Sequence, residues 1–417
     1  MTLKSQLRVV IDLQGFQREG NRIRGIGRYS LELVKSLIYN YPENEYILFS
    51  NCSLYDFKNE FKIEISNNNL NVIYFEWFPA ADINEDLTSE YSKTLIATQL
   101  RSYALSLIHA DIILLTSFFD GFKDNTLIDY DISYDLPPIV SIIYDLIPLI
   151  NPSTYLDNDH EYKSFYLQKI NKLNNLDALL TISESSKNEI LEYTDFKSHQ
   201  VFNISAACDN DLFNEDRIIA FDHSINIHDF GKFILYVGAI DPRKNLYNLL
   251  KAYSLLPLDL LLKHKLVLAG PYSQKEIILL HKWIDQFNLG SQNIIILGFV
   301  KDSELVSLYQ NCYLFVFPSL HEGFGLPVLE AISCGAATIS SNNTSLPEIL
   351  CLKSVLFDPL CIDQIKDLII RACTDSNFYK LLKQNSKDRK GKFSWKVTAT
   401  KVTKSIHKIL NSFSMSS

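Results

Sequence analysis

Apolar residues along this chain recur in two alternating rhythms. Short continuous runs rich in β-branched residues give way to segments whose apolar positions repeat at helical spacing. The stretch Leu7–Leu13 reads as a strand buried on both faces. A glycine-bearing loop from Gly15 to Gly27 follows, then a helix over Tyr29–Tyr39 with Leu33, Leu37 and Ile38 on one side. Tyr46–Phe49 and Val72–Phe75 predict short strands, Ser92–Ala110 a helix, and Asp111–Leu115, Ile139–Tyr144 and Ala178–Ile182 further strands. Ser183 is placed to cap a helix with Glu184 in its first turn and Ser186–Tyr193 as its body. Strands alternating with helices predict a parallel sheet covered on both faces, an α/β fold.

The rhythm lapses from Ile204 to about Lys232, where Asp209, Asn210, Asp211 and Asn214 cluster, and this stretch reads as a connection between domains. Alternation restarts at Phe233–Val237. A helix over Leu246–Leu255 and strands at Lys265–Ala269, Ile294–Leu297 and Leu314–Phe317 follow. The chain therefore reads as two α/β halves, and its 417 residues exceed what one ordinary core organises.

Composition supports a folded protein, with 47% hydrophobic and 21% charged residues and few glycines or prolines to build long linkers. A formal net charge of −8 argues against nucleic acid as a partner of the surface as a whole. The 7 cysteines include no Cys-x-x-Cys pair, so neither a disulfide framework nor a zinc site is expected, and reduced thiols suit the cytosol. The N-terminus does not read as a signal peptide, and no stretch is long and apolar enough to span a bilayer.

Candidate chemistry concentrates in Leu314–Ala331, LFVFPSLHEGFGLPVLEA. A strand ends at Pro318, a loop carries Glu322, Gly323, Phe324 and Gly325, and Pro327 suits the first turn of the helix that follows. Helical side chains lean toward the N-terminus, so Glu330 can point back at whatever sits there. Glycines allow close backbone approach, and a helix start favours anionic oxygen. The segment, with Glu322-x7-Glu330 inside it, resembles the signature of the family 4 retaining glycosyltransferases of the GT-B fold, the glycosyl transferases group 1, in a mannosyltransferase-like subgroup.

Other segments agree with that resemblance. Tyr236–Asn245, YVGAIDPRKN, ends a strand at Gly238 and places Arg243 and Lys244 before a helix, where cations can neutralise a departing diphosphate. The commoner family pattern has Arg directly after the glycine, where this chain has Ala239. Gly25-Ile26-Gly27-Arg28 is similar to the family loop whose amides face the donor phosphates. Asp145, at a strand's carboxyl end, is a candidate acceptor-side carboxylate, with Tyr144 where relatives commonly carry His. Ser183–Lys187, Ser345–Glu348 and Phe393–Trp395 resemble segments that close the first domain, edge the nucleotide site and return the chain to the first domain.

The resemblance implies two Rossmann-like domains facing across a cleft. The acceptor-side domain spans 1–205, the nucleotide-sugar domain 206–390, and a crossover helix over 391–417 returns to the first. It implies catalytic roles for Glu322, Lys244, Arg243 and Asp145, and donor contacts at Gly25, Gly27, Gly238, Gly323, Phe324, Gly325, Leu326 and Glu330. The expected donor is a GDP- or UDP-linked hexose, the acceptor a glycan or lipid-linked saccharide, and the setting cytoplasmic with peripheral attachment to the inner membrane face left open. No cofactor or metal is expected. The Asp-x-Asp triplets at Asp129/Asp131, Asp157/Asp159 and Asp209/Asp211 read as solvated turns, and the 9 histidines show no ligand spacing. A nucleotide-sugar epimerase and a non-catalytic scaffold remain the rival readings, the second sustained by Tyr144 and Ala239.

Overall fold

The computed structural model describes residues 6–22, 25–61, 71–79, 90–217, 227–290 and 292–416. The chain divides into two compact units, Met1–Ala206 with Trp395–Ser417, and Ala207–Ser394. The domain limits at 205 and 390 expected from sequence thus fall at Ala206 and Ser394.

In the first unit the described strands are β1 (Arg8–Asp12), β2 (Glu45–Asn51), β3 (Val72–Trp77), β4 (Ile112–Leu115), β5 (Ile139–Ile143), β6 (Ala178–Thr181) and β7 (Val201–Asn203). They form one parallel sheet in the order β3-β2-β1-β4-β5-β6-β7. Strands β4, β5 and β6 are buried throughout, which is why their sequences run apolar without alternation, whereas β3, at the sheet edge, keeps five of its six residues partly or fully exposed. Helices α1 (Gly25–Asn40), α2 (Glu90–Ser106), α3 (His160–Leu173) and α4 (Glu184–Tyr193) belong to this unit. The C-terminal helix Trp395–Ser416 packs along α1, with the Trp395 and Tyr29 rings edge to face at 5.1 Å and Tyr41 donating to Thr400 Oγ1 at 3.0 Å.

The second unit carries β8 (Lys232–Val237), β9 (His264–Ala269), β10 (Ile294–Gly298), β11 (Leu314–Phe317), β12 (Thr338–Ser341) and β13 (Leu356–Phe357), all parallel, in the order β10-β9-β8-β11-β12-β13. Helices α5 (Leu246–Ser254) and α6 (Leu326–Ser333) follow β8 and β11. In each sheet the chain steps outward from its first strand, then returns to that strand's other side. That reversal opens a crevice at the carboxyl ends of β1 and β4 in one unit and of β8 and β11 in the other, where open α/β sheets bind ligands.

Three features depart from the sequence reading. The expected loop Gly15–Gly27 holds two short helical turns, Gln14–Gln17 and Glu19–Arg22, and Gly25 and Gly27 lie in the first turn of α1. The first turn is fixed by buried polar side chains: Gln14 donates to Leu127 O at 2.7 Å, and Gln17 to Asn51 O at 3.0 Å. Helix α2 ends at Ser106 rather than Ala110, and His109 adopts a φ of 52° before β4. The short strands β7 and β13 carry too few residues for a periodic signal of their own.

Candidate functional site

The turn after β8 is shaped by its own side chains. Asp241 Oδ1 accepts from the Arg243 amide at 2.9 Å, closing a single 3-10 turn over Pro242–Lys244. Asn245 follows with a φ of 58°, and its Nδ2 donates to Pro318 O at 3.0 Å and Pro359 O at 2.8 Å. Arg243 O accepts from the Leu320 amide at 2.6 Å and from Ser319 Oγ at 2.9 Å. The Pro-Arg-Lys-Asn turn and the loop after β11 are therefore latched together.

That latch delivers three charged side chains to one point. Glu322 Oε1 accepts from Lys244 Nζ at 2.6 Å and Ser319 Oγ at 2.7 Å, and Glu322 Oε2 accepts from Arg243 Nη1 at 3.0 Å. Glu322 and Lys244 are buried or nearly so, while Arg243 keeps 27% of its side chain exposed. Burial would raise the Glu322 carboxyl, but Lys244 and Arg243 outweigh it and hold the group below its ordinary value. Burial lowers the Lys244 ammonium, and Glu322 only partly offsets this. The cluster brings two cations and the buried Glu322 carboxylate to the carboxyl ends of β8 and β11, with Asp241 Oδ1 3.8 Å from Arg243 Nε as a second, more exposed anion.

The backbone around the cluster is equally constrained. The Glu322 amide donates to Thr344 Oγ1 at 3.1 Å, and Ser345 Oγ donates to Glu322 O at 3.0 Å and Phe324 O at 2.6 Å. Gly325, the N-cap of α6, has a φ of 104°, and a Cβ there would lie 2.5 Å from Leu346 Cδ2, so only glycine fits. Pro327 occupies the first turn, as expected. Glu330, on α6, accepts from the Tyr309 hydroxyl at 3.1 Å. Phe324 is buried with its ring edge to face on Phe393 at 5.5 Å, which leaves its main chain, not its side chain, for a ligand. Gly238 donates to Ala269 O at 3.0 Å, and a Cβ on the neighbouring Gly270 would collide with Gly238 O. Gly323 lies in the loop and Leu326 opens α6, half-buried.

Gly25, Gly27 and Asp145 belong to the first unit. Gly25 is exposed and Gly27 buried in the first turn of α1. Asp145 Oδ1 accepts from the Ile147 amide at 3.1 Å. Tyr144 anchors α1: its hydroxyl lies 3.1 Å from Ser30 Oγ and donates to Thr116 O at 3.1 Å. Ser183 caps α4 through the Ser186 amide at 2.9 Å. Asp129 pairs with Lys169 at 3.0 Å and with Lys172, Asp157 with Lys163 at 2.9 Å, and Asp159 caps α3. Asp209 closes its own turn through the amides of Asp211 and Leu212 at 3.0 Å each. Among the described residues no group of three His, Cys, Asp or Glu side chains is placed to hold a metal, and no helix is long and apolar enough to cross a membrane.

The sequence reading missed Ser319, Asn245, Thr344 and Tyr309. Only Asn245, ending Pro-Arg-Lys-Asn before a helix, carried a local signal for its left-handed backbone.

Residues 219–389 match the model of the family described as glycosyl transferases group 1. The chain is 34% identical over 411 residues to the serotype-specific mannosyltransferase WbdA of Escherichia coli, covering 97% of this chain and 48% of that protein. It thus spans under half the length of that relative and of two further WbdA proteins. It is 28% identical to the O-antigen chain mannosyltransferase B of Escherichia coli, covering 91% of this chain and 94% of that one. Anabaena HepE, solved in complex with UDP and glucose, superposes with a TM-score of 0.61 at 13% identity, over 95% of this chain and 98% of that chain, a likeness of fold.

Proposed function

From the premise that this chain belongs, through its second unit, to the glycosyl transferases group 1 family, we propose that it moves a hexose, mannose first among candidates, from a GDP- or UDP-linked donor to a glycan or lipid-linked acceptor of a surface polysaccharide. The observation that carries this reading is the latched Glu322–Lys244–Arg243 cluster. Two cations fixed before substrate arrives are what a departing diphosphate requires, since preorganised charge costs no rearrangement as the bond breaks. They supply the neutralisation that a divalent metal gives other transferases, so the reaction is read as metal-independent.

Glu322 has two roles in this scheme. It holds both cations, and with three hydrogen bonds accepted of about four that a carboxylate can take, one direction is left for a hydroxyl of the donor sugar. Glu330 binds the ribose diol, and the main chain from Gly323 to Leu326 meets the phosphates at the start of α6. The amides at Gly25 and Gly27 and the carboxylate of Asp145 act from the first unit. Neither glutamate is needed as a nucleophile, because the leaving phosphate can take the acceptor's proton while the sugar is attacked on the same face, retaining its anomeric configuration. The mannosyltransferase relatives support mannose as the first donor to try.

Thermal shift with a panel of nucleotide sugars tests the reading. One donor should raise the melting temperature of the wild type by mass action, and Glu330→Ala should lose that shift. Lys244→Ala should lower transfer by about two orders of magnitude or more while the protein stays folded. Wild-type transfer in Lys244→Ala, or no shift with any donor at saturation, would overturn it. Release of an altered nucleotide sugar without acceptor would identify an epimerase instead, and binding without turnover a scaffold.

A further inference from the structure

The first unit holds a second place built for a ligand. A cavity of about 170 Å3 opens at the carboxyl ends of β1, β4 and β5, at the crevice where the strand order reverses. At about 30 Å3 per water molecule it holds the bulk of one sugar ring, not of a nucleotide. Asp120, just after β4, is 3% exposed and lines it. Its Oδ1 is satisfied twice, by Arg18 Nη1 at 2.9 Å and Asn21 Nδ2 at 2.8 Å. Its Oδ2 is buried and has no hydrogen-bond partner among the described residues. A buried carboxylate oxygen without a donor is costly, and a ligand hydroxyl removes that cost.

The other walls narrow the ligand class. Phe119 stacks on Tyr166 with ring centroids 4.8 Å apart, and Tyr162 tilts against Tyr166 at 6.1 Å, so the buried Tyr166 ring backs the partly exposed rings of Phe119 and Tyr162 in the lining. Asp145 adds a second carboxylate to the lining. Among the described residues that line it the one cation, Arg18, is engaged by Asp120 and by Asp124, whose Oδ2 lies 2.6 Å from Arg18 Nε. Two acids and one committed arginine repel an anionic ligand. Apolar C–H faces edged by hydroxyl donors, the make-up of an uncharged pyranose, match both the rings and the acceptors.

We infer that this cavity seats one uncharged hexopyranose ring of the acceptor, with Asp120 Oδ2 accepting from its hydroxyls and the partly exposed rings of Phe119 and Tyr162 against its apolar face. This rests on the transferase reading and makes Asp120 a specificity-determining residue for the acceptor.

Saturation-transfer NMR with methyl α-D-mannopyranoside on the full chain, run beside the donor thermal shift with GDP-mannose and UDP-glucose, tests it. The wild type should bind the glycoside. Asp120→Asn should weaken that binding about tenfold and leave the donor shift unchanged. Methyl glucuronide, which carries a carboxylate, should not bind. If Asp120→Asn does not fold, Tyr162→Leu, which removes part of the ring wall and leaves the Asp120 hydrogen bonds intact, should weaken the glycoside in the same way. Unchanged glycoside affinity in both variants, equal binding of the glucuronide, or no glycoside binding by a wild type that shows its donor shift would overturn the seat. A wild type that binds glycoside through Asp120 yet shifts with no donor would sink the transferase reading and leave the seat standing.

Discussion

Lys244 is useful to a diphosphate only while it is charged, and burial works against that charge. Its folded pKa lies below the ordinary lysine value, so the ammonium is lost as pH rises through that lowered value, before an ordinary lysine would lose its proton. Donor affinity is therefore expected to fall with rising pH before an ordinary lysine would titrate. Lys244→Arg keeps a cation that does not titrate there. Isothermal titration across pH should show that fall in the wild type and a flat profile in the variant; the same fall in both would show that another group governs it. Glu322 was legible from the sequence as a candidate site residue, but its partner set was not. Arg243 stands 79 positions away, and nothing local to HEGFG announces that its glutamate will hold two cations. The buried pair of Asp12 with Arg101 at 2.6 Å is a sharper case, since Arg101 sits in a helix whose sequence gives no sign that one residue is fully enclosed.

At the scale of elements, the junction between β11 and α6 shows how a short motif becomes a rigid frame. Gly325 permits a left-handed turn, Pro327 starts the helix, and Ser345 ties the loop's carbonyls from the next connection. Gly325→Ala adds a methyl group against Leu346 at an unfavourable φ. The expected cost is about 2 kcal/mol or more, with the donor thermal shift reduced because the loop must move; chemical denaturation and the shift assay check both. Undiminished stability would mean that the loop relaxes without consequence. This junction was readable because each of its signals is local. The segment after β1 was not: its turns are held by Gln14 and Gln17 reaching Leu127 and Asn51, residues far along the chain. Polar side chains recruited by distant carbonyls override the loop character that glycines suggest.

Over the whole molecule, the chain ends in the unit where it began. Helix Trp395–Ser416 buries Ala399, Val402, Ile406 and Ile409, and its Trp395 packs on Tyr29. At roughly 1.5–3 kcal/mol for each large buried side chain, its removal should cost the first unit on the order of 5 kcal/mol. A chain truncated after Ser394 is expected to expose new protease sites within residues 1–206 while sites within 207–394 stay protected. An unchanged digestion pattern would show that the helix contributes little to that unit.

The α/β class, the division into two units and the segments that carry the candidate chemistry were set by the sequence itself. Each depends on neighbours in the chain: apolar runs that must lie between helices, caps and prolines that start helices, glycines where the backbone must turn. Strand order is different. It places residues after β8 beside residues after β11, and residues after β1 beside residues after β4, by burying apolar faces rather than by any pairing code in the loops. Only the tertiary structure could therefore show that Lys244 and Arg243 share one carboxylate, or that Asp120 ends in a cavity with one oxygen unsatisfied. The loops inherit their neighbours from the core, and the chemistry follows from those neighbours.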